Sequence, residues 1–319
     1  MTFLPAKFID SVLEATIVPS FTSIGPAVRR RLFDWDPIDD ASGRRVVITG
    51  ANSGLGYAGA LLLAKAGAQV TMVARSEERG LNAADEIARA TGAVIRLEIG
   101  DLSSLESVSA LADRLLAKGE PIDVLIHNAG ALHSERQESV DGYELTLATH
   151  VLGPFRLTAM LRPLLAEGDD PRIVTMASGG LYSQGISLSD LQTTKDYSGT
   201  KAYARAKRSQ LLINGRWISE LERDGIAVYT MHPGWAATPG VADSLPGFDK
   251  LMAPLLRTPE DGAETLAWLA TEPSAELGNG GFWLDRARRP EHRLPSTKSA
   301  DQKADALWER ISELALPAE

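Results

Sequence analysis

The sequence predicts a doubly wound α/β fold, in which one parallel sheet is covered by helices on both faces. Short runs rich in Val, Ile and Thr alternate with longer helical patterns from about Arg44 onward. Strands that alternate with helices pair in parallel, and right-handed crossovers distribute the helices over both faces. A Gly-rich turn, which spans Thr49 to Gly56, follows the first strand, where such folds bind a nucleotide.

The predicted elements follow one another without an internal repeat and form one domain at 44–287. Each predicted strand is a short apolar or β-branched run that ends at turn residues. The strands are predicted at Arg45–Thr49, Gln69–Ala74, Ala93–Ile99, Asp123–His127, Arg172–Ala177, Ile226–Met231 and, as a short last strand, Gly281–Leu284. The longer helical patterns lie at Tyr57–Ala66, Arg79–Ala90, Val108–Ala117, Leu145–Leu165, Tyr203–Leu221 and Pro259–Ala270.

Two terminal segments lie outside this alternation. Residues 288–319 are predicted as a tail with an amphipathic helix. The apolar residues that share one face of this helix are Leu307, Trp308, Ile311 and Leu314. Residues 1–43 are predicted as an extension of short amphipathic helical pieces that includes the basic run Arg29–Arg31. An apolar face with basic flanks suits a membrane surface, but prolines interrupt the extension. We therefore favour packing on the body of the protein and leave peripheral membrane contact open.

The composition excludes several classes of function. The net charge of -9 and the pI near 5.2 argue against a nucleic-acid binder. The chain has no Cys, which removes disulfides, thiolate catalysis and Cys-ligated zinc, and which suits a reducing cytoplasm. The five His residues show no metal-binding spacing, so we expect no metal site. We expect neither a membrane span nor a signal peptide, because no apolar run is long enough and the N-terminus lacks a basic leader.

The Gly-rich turn predicts a dinucleotide site of the Rossmann type. Glycines permit a tight turn and a close approach of the backbone to a pyrophosphate, and the next helix offers free N–H groups and a favourable dipole. The residues predicted to contact the cofactor here are Gly50, Asn52, Ser53, Gly54, Leu55 and Gly56. The alternative is an ordinary Gly-rich turn, but the strand before it and the helix after it favour the nucleotide site.

Two residues are predicted at the adenine end of this site. Arg75 follows the second strand, where an Arg accommodates the 2′-phosphate of NADP and an acid selects NAD. We therefore predict NADP(H) and leave NAD(H) open, since Arg75 on a solvent-facing turn is the alternative. Asp101, with Leu102, follows the third strand and is predicted at the edge of the adenine ring. Asp101 is equally suited to cap the helix that begins near Ser103.

Tyr203 and Lys207 form a candidate acid/base pair. They are four residues apart in a predicted helix and therefore share one face. A free Tyr has a pKa near about 10, and a nearby ammonium lowers it by stabilising the phenolate. Such a pair passes a proton to or from a substrate oxygen while a hydride moves at carbon. The spacing alone also occurs by chance on exposed helices.

The chain resembles the short-chain dehydrogenases/reductases from about Arg44 to Trp283. The motifs that carry this resemblance are the TGANSGLG turn, Asp101, His127-Asn128-Ala129-Gly130, Ser178, Tyr203-x3-Lys207 and His232-Pro233-Gly234. These motifs, occurring together in this order, are a specific signal. The string MHPGWAATPGV is most similar to the branch called dehydrogenase/reductase family member twelve and to the retinol-dehydrogenase-like reductases.

The resemblance implies a role for each matching position. It implies that Ser178 binds the substrate oxygen, that Tyr203 exchanges the proton, and that Lys207 holds the nicotinamide ribose and tunes Tyr203. It further implies that Asn128, Ala129 and Gly130 line the adenosine half of the cofactor. Pro233 and Gly234 would shape the nicotinamide pocket, with Thr238 near the carboxamide or the phosphates.

One position departs from the family pattern. His150 stands where the family has Asn, the residue thought to hold a water that links Lys207 to solvent. Neutral imidazole offers both a donor and an acceptor, so we predict that His150 takes over this role. Because the ordinary pKa of His is about 6.5, we also predict that activity falls on acidification. In the alternative, His150 only fills a helix kink.

The motifs together predict a reversible carbonyl reductase that uses NADP(H). The expected substrate is an apolar aldehyde, ketone or alcohol, because 181–202 and 235–258 mix apolar residues with Gly and Pro and show no charge cluster. The apolar residues in question are Leu181, Leu188, Leu245, Phe248 and Leu251. Trp235 and Tyr182 either face the substrate or belong to the core. A cofactor-binding regulatory protein without turnover is the alternative, and a homo-oligomer is left open.

Overall fold

The computed structural model describes residues 5–244 and 246–317. Within these residues, one sheet has eight strands, in the order β3-β2-β1-β4-β5-β6-β7-β8. Their bounds are Arg45–Thr49 (β1), Gln69–Ala74 (β2), Arg96–Ile99 (β3), Val124–His127 (β4), Arg172–Met176 (β5), Ala227–Met231 (β6), Phe282–Leu284 (β7) and Ala287–Arg289 (β8). The first seven strands pair in parallel, and only β8 pairs antiparallel with β7. The strand order reverses between β1 and β4, which opens a ligand crevice at their carboxyl ends.

The helices connect successive strands and extend both termini. Their bounds are Ala6–Ala15 (α1), Ile17–Phe21 (α2), Ile24–Phe33 (α3), Gly54–Lys65 (α4), Glu77–Thr91 (α5), Leu105–Lys118 (α6), Leu145–Leu147 (α7), Gly153–Ala166 (α8), Gly199–Leu221 (α9), Pro239–Ser244 (α10), Pro246–Met252 (α11), Pro259–Thr271 (α12), Ser274–Leu277 (α13), Pro295–Lys298 (α14) and Ala304–Ala315 (α15). A π-helical turn at Ala148–Leu152 joins α7 to α8. A 3₁₀ turn at Gly179–Ser183 follows β5.

Successive strand residues face two separate hydrophobic layers, as the doubly wound fold requires. In β1, Val46 and Ile48 face the layer that also contains residues of α4, α5 and α12. Val47, between them, faces the layer that also contains residues of α6, α8, α9 and α15. The predicted fold class is therefore confirmed, with strands that are apolar on both faces because helices cover both.

Three details of the predicted elements are wrong. β3 begins at Arg96 rather than at Ala93, which lies in the connection after α5. The long predicted helix from Leu145 contains the π-helical turn, so its hydrogen bonding changes around His150. β8 was not predicted, because its hairpin turn is formed by Asp285 and Arg286, which adopt positive φ without the usual Gly or Asn signal.

Both terminal segments pack on the body of the domain. In α15, Leu307 and Ile311 are buried and the predicted apolar face contacts the core beside α8 and α9. In the extension, Arg29 of α3 is fully buried and pairs with Asp285 in the β7–β8 turn, at 2.5 Å. Arg29 therefore does not belong to an exposed basic flank. None of the helices in residues 5–244 and 246–317 is long and apolar enough to span a bilayer.

Candidate active site

The Gly-rich turn lies at the carboxyl end of β1, where the strand order reverses. Gly50 has φ +65°, and a Cβ on it would lie 2.7 Å from Cα of Ala129. A Cβ on Gly56 would lie 2.2 Å from the carbonyl oxygen of Gly50. Gly54 begins α4 with φ +56°, and the first turn of a helix leaves N–H groups without partners inside the helix. Only glycines fit this cradle, and it suits a pyrophosphate.

Asn128 holds the turn in place from β4. Its Nδ2 donates to the carbonyl oxygens of Thr49 and Gly50, at 2.9 and 3.1 Å. The hydroxyl of Thr49 in turn accepts from the backbone N–H groups of Asn128 and Ala129. The side-chain amide donors are thus used within the protein, so Asn128 acts on the nucleotide site by fixing the turn.

The predicted adenine end contains one exposed cation and one internally bonded carboxylate. Arg75 is exposed immediately after β2, and its charge lowers the pKa of His133, where burial is the larger cause. Asp101 accepts hydrogen bonds from the backbone N–H and the hydroxyl of Ser103, at 2.9 and 2.7 Å. Leu102 is buried in the core. Of these three residues, Arg75 has the exposed charged side chain at the predicted adenine end.

Ser178, Tyr203 and Lys207 come together at the carboxyl end of β5. Ser178 begins the 3₁₀ turn after the strand, and its Oγ accepts from the N–H of Gly180. Tyr203 lies in the first turns of α9 and interacts with the Ser178 hydroxyl. Lys207 lies one turn later, with Nζ 5.5 Å from the centre of the Tyr203 ring. A Cβ on Gly180 would meet both Ser178 Oγ and the Tyr203 ring, so the absence of a side chain there leaves room beside both groups.

Burial sets the protonation of this site. It raises the pKa of Tyr203, against the hydrogen bond from Ser178, which lowers it. Burial also lowers the pKa of Lys207 to about 7. The expected lowering of the Tyr203 pKa is wrong for this arrangement, because burial outweighs Ser178 and because the Lys207 ammonium donates to the carbonyl oxygen of Met176, at 2.8 Å. Tyr203 therefore carries its proton at neutral pH and is suited to act as an acid.

His150 lies against Tyr203 in the π-helical turn. The two rings are perpendicular, with centres 5.4 Å apart. His150 Nε2 lies 2.9 Å from the carbonyl oxygen of Ala131 and 3.1 Å from its backbone nitrogen. Its ring occupies the space that a side chain on Gly130 would fill. Within the described part of the chain, Nδ1 is buried and has no hydrogen-bond partner, so it offers a free position toward a bound water or ligand.

The pKa of His150 corrects the predicted acidic limb. Burial first, and then the charge of Lys207, hold this pKa well below 6.5. A lowered pKa means that the imidazole stays neutral as the pH falls through 6.5 and takes up a proton only at much lower pH. Any activity that needs neutral His150 is therefore retained through the range in which an ordinary His titrates.

We expect His150→Asn to remain active and to match the wild-type pH–rate profile around neutrality. The two profiles should diverge only well below pH 6.5, where the wild-type protein loses its acceptor nitrogen. The measurement is kcat against pH for both proteins. Profiles that separate near pH 6.5 would contradict the low pKa, and identical profiles throughout would remove His150 from the proton path.

The loop after β6 closes the crevice from the other side. Gly234 has φ +72°, and a Cβ on it would lie 2.3 Å from Nε of Arg257. Thr238 lies over the Gly-rich turn, with its Cβ 3.5 Å from the Cβ position of Gly54. Gly234 therefore packs tightly against Arg257, and Thr238 of the same loop lies beside the Gly-rich turn.

The two aromatic residues near this loop have different surroundings. Tyr182 is buried, and its hydroxyl donates to the carbonyl oxygen of Pro290, so it belongs to the core. Trp235 is half-buried and its ring packs edge-on against Phe248, at 5.2 Å. Among the predicted substrate-facing residues, Leu181 is fully buried, Leu188 is half-buried and Leu251 is exposed. Leu245 lies outside the described residues.

Two residues beside the site were missed by the sequence reasoning. Gln210 lies two helical turns after Tyr203, and its Nε2 donates to the carbonyl oxygen of His150, at 2.7 Å. The spacing of seven from Tyr203 on one helix was an available signal. Phe21 of the extension packs against Gly179, next to Ser178, and no local pattern predicts that contact. In the part of the chain that the structure describes, no cluster of acidic or His residues fits a metal ion.

Comparison with known proteins identifies the family of the chain. The family model described as short chain dehydrogenase matches residues 44–246. Dehydrogenase/reductase SDR family member 12 of Bos taurus is 38% identical over 86% of this chain and 86% of its own length. Retinol dehydrogenase 14 of Mus musculus is 35% identical over 91% of this chain and 90% of its own.

A solved structure shows the same fold with a nucleotide. The short chain dehydrogenase of Shigella flexneri, complexed with NADP, is 25% identical with a TM-score of 0.63. That alignment covers 77% of this chain and 98% of the other. The protein with this sequence therefore belongs to the short-chain dehydrogenase family and is an oxidoreductase of alcohol and carbonyl groups.

Proposed function

We propose that the protein reduces an apolar aldehyde or ketone with NADPH, using Tyr203 as the general acid. The observation that carries this proposal is the meeting of Ser178, Tyr203 and Lys207 at one end of β5, with the Tyr203 pKa raised by burial. A phenol that keeps its proton suits reduction, because the carbonyl oxygen must gain a proton as its carbon gains a hydride. Oxidation would need the phenolate, which burial disfavours.

The cofactor would supply the hydride, and the protein would supply binding, orientation and the proton. Ser178 Oγ would donate a hydrogen bond to the carbonyl oxygen and stabilise the charge that develops on it. Tyr203 Oη would transfer its proton to the same oxygen. Lys207, with a pKa of about 7, would return a proton to Tyr203 from the interior. His150 Nδ1 would extend this path toward solvent through a bound water.

The residues present fit a dinucleotide. Gly50 and Gly56 have no room for side chains, Gly54 has a positive φ that favours glycine, and the three surround the N-terminus of α4. Thr238 would contact the phosphates from the opposite loop, since it lies over Gly54. Arg75 supports NADP(H) over NAD(H), because its exposed guanidinium matches a 2′-phosphate. The NADP of the Shigella flexneri relative is consistent with this preference.

Arg75→Asp should reverse the cofactor preference. The wild-type protein should bind NADPH more tightly than NADH, since the Arg75 guanidinium pairs with the 2′-phosphate that only NADPH carries. The carboxylate of the variant would repel that phosphate and accept from a ribose hydroxyl. Fluorescence titration with both cofactors measures the preference. Arg79→Asp, one helical turn further along, is the matched control, and equal or tighter NADH binding by the wild-type protein would contradict the assignment.

The substrate class rests on the lining of the cleft. Trp235 and Phe248 pack together beside the loop after β6 and offer an apolar aromatic wall. Retinol dehydrogenase 14, whose name specifies an apolar alcohol, is one of the relatives. NADPH oxidation with a panel of lipophilic aldehydes and ketones, against charged sugars and acids, tests this proposal. Turnover confined to the charged compounds would contradict it.

For a chain without cysteine, we also propose a cytoplasmic location.

A further inference from the structure

The extension reaches the active site where Phe21 ends α2. The Phe21 side chain is only 3% exposed and has its ring centre 4.7 Å from that of His232 and 5.7 Å from that of Trp235. These two residues flank Pro233 and Gly234 in the proposed nicotinamide pocket. The extension therefore contributes a buried aromatic ring directly behind the loop after β6.

The same ring fixes the backbone next to Ser178. A Cβ on Gly179 would meet three Phe21 ring atoms, Cε2 at 2.5 Å and Cδ2 and Cζ at 3.3 Å. These are the nearest atoms to that position among the described residues. Gly179 has no positive φ, so its backbone conformation would accept a side chain. A side chain at this position would instead clash with the Phe21 ring. Phe21 and Gly179 are thus a matched pair that sets the start of the 3₁₀ turn and the place of Ser178.

The main chain of Phe21 also holds the opposite wall. Its carbonyl oxygen accepts from the backbone N–H of Trp235, at 2.7 Å, and from Nε of Arg257, at 3.0 Å. Arg257 donates as well to the carbonyl oxygen of Ser20 and pairs with Asp285. Arg29 pairs with the same Asp285. These buried groups therefore hold the backbone of Ser20 and Phe21 from several sides.

We propose that Phe21 is a positioning residue of the catalytic site, which acts through Gly179 on Ser178 and through Trp235 on the nicotinamide loop. The proposal rests on the proposed carbonyl reduction for its kinetic consequence. The contacts of Phe21 lie at Gly179, His232 and Trp235, so its substitution should lower kcat by a larger factor than it weakens NADPH binding. The extension would then be a working part of the active site as well as a support for the fold.

The test uses the full chain with Phe21→Leu, Gly179→Ala and the double variant. Leu lacks the two outer ring atoms that the new methyl group of Gly179→Ala would meet. Each single variant should lower kcat by about 10-fold or more, because small misplacements of catalytic groups are costly. The double variant should recover part of the kcat lost in Gly179→Ala, since the two positions are in contact. Phe33→Leu, an exposed position of the same extension, is the matched control and should not rescue Gly179→Ala.

Amide hydrogen exchange gives a second readout that does not depend on turnover. Exchange at 179–183 and 232–236 should be faster in both single variants and slower again in the double variant. Wild-type kcat in Phe21→Leu with only a lower melting temperature would overturn the proposal, as would a double variant without recovery. If the wild-type protein reduces no carbonyl, the proposed function fails. In that case amide hydrogen exchange alone tests the role of Phe21. Unchanged exchange at 179–183 in the variants would overturn that role.

Discussion

Tyr203→Phe should lower kcat for carbonyl reduction by about 10²-fold or more while the protein still binds NADPH. The substitution removes only the hydroxyl that carries the proton and keeps the ring that packs against His150. Burial keeps this hydroxyl protonated at neutral pH, so its loss removes the acid at the moment the carbonyl oxygen needs it. Steady-state kinetics and a fluorescence titration with NADPH measure the two effects.

Tyr143→Phe is the matched control for this variant. The Tyr143 hydroxyl donates to the carbonyl oxygen of Leu314 in α15, outside the catalytic residues, so kcat should stay at the wild-type value. Near-normal turnover in Tyr203→Phe would move the acid elsewhere. Loss of NADPH binding together with turnover would mean that the substitution disturbs the cofactor site rather than the proton transfer.

Asp285→Asn should destabilise the folded protein by about 3–5 kcal/mol, because it leaves the buried Arg257 without its carboxylate partner, whereas Arg29 keeps Asp10 and Glu14. Asp285 is 3% exposed and pairs with Arg29 at 2.5 Å and with Arg257 at 2.6 Å. Both guanidiniums are fully buried, so solvent cannot replace the lost charge. Urea unfolding followed by circular dichroism measures the free energy of unfolding.

Asp261→Asn is the control for the loss of an ion pair as such. Asp261 pairs with Arg30 at 2.7 Å, but both side chains are partly exposed, so its loss should cost only about 0–1 kcal/mol. If the two variants lowered the free energy of unfolding equally, the buried cluster of Arg29, Arg257 and Asp285 would have no special role. An Asp285→Asn protein as stable as the wild type would contradict that role as well.

The same cluster gives a pH dependence of stability. Arg257 and Arg29 hold the pKa of Asp285 below its ordinary value of 3.8 although burial acts to raise it. A lowered pKa in the folded state means that the stabilisation is complete above pH 3.8 and is lost as the pH falls through the folded value. The difference in unfolding free energy between the wild-type protein and Asp285→Asn should therefore shrink as the pH falls below 3.8.

Much of the fold was predictable because its signals are local. The Gly-rich turn, the alternation of strands and helices and the spacing of Tyr203 and Lys207 all lie within short windows of sequence. The doubly wound sheet follows from them by rules of connection that need no further contacts. The site residues at strand ends, such as Ser178, then meet because parallel strands share one carboxyl edge.

What could not be predicted depends on contacts between distant parts of the chain. The run Arg29–Arg31 has the pattern of a basic flank, yet Arg29 is buried by Asp285, 256 residues later. Phe21 gives no local sign that it touches Gly179, and the Tyr203 pKa depends on burial that the spacing of Tyr203 and Lys207 does not describe. The β7–β8 hairpin was missed because Asp285 takes a backbone conformation that the sequence of its turn does not indicate.

The proposed reduction is tested most sharply by deuterium transfer from NADPH that carries deuterium at both C4 positions of the dihydronicotinamide, so that transfer from either face is detected. The wild-type protein, incubated with the best apolar aldehyde or ketone of the panel, should yield an alcohol that carries one deuterium at the former carbonyl carbon. Tyr203→Phe should bind the labelled cofactor and give almost none of this product. An unlabelled alcohol, or tight NADPH binding without any labelled product across the panel, would contradict the assignment of a hydride-transferring reductase.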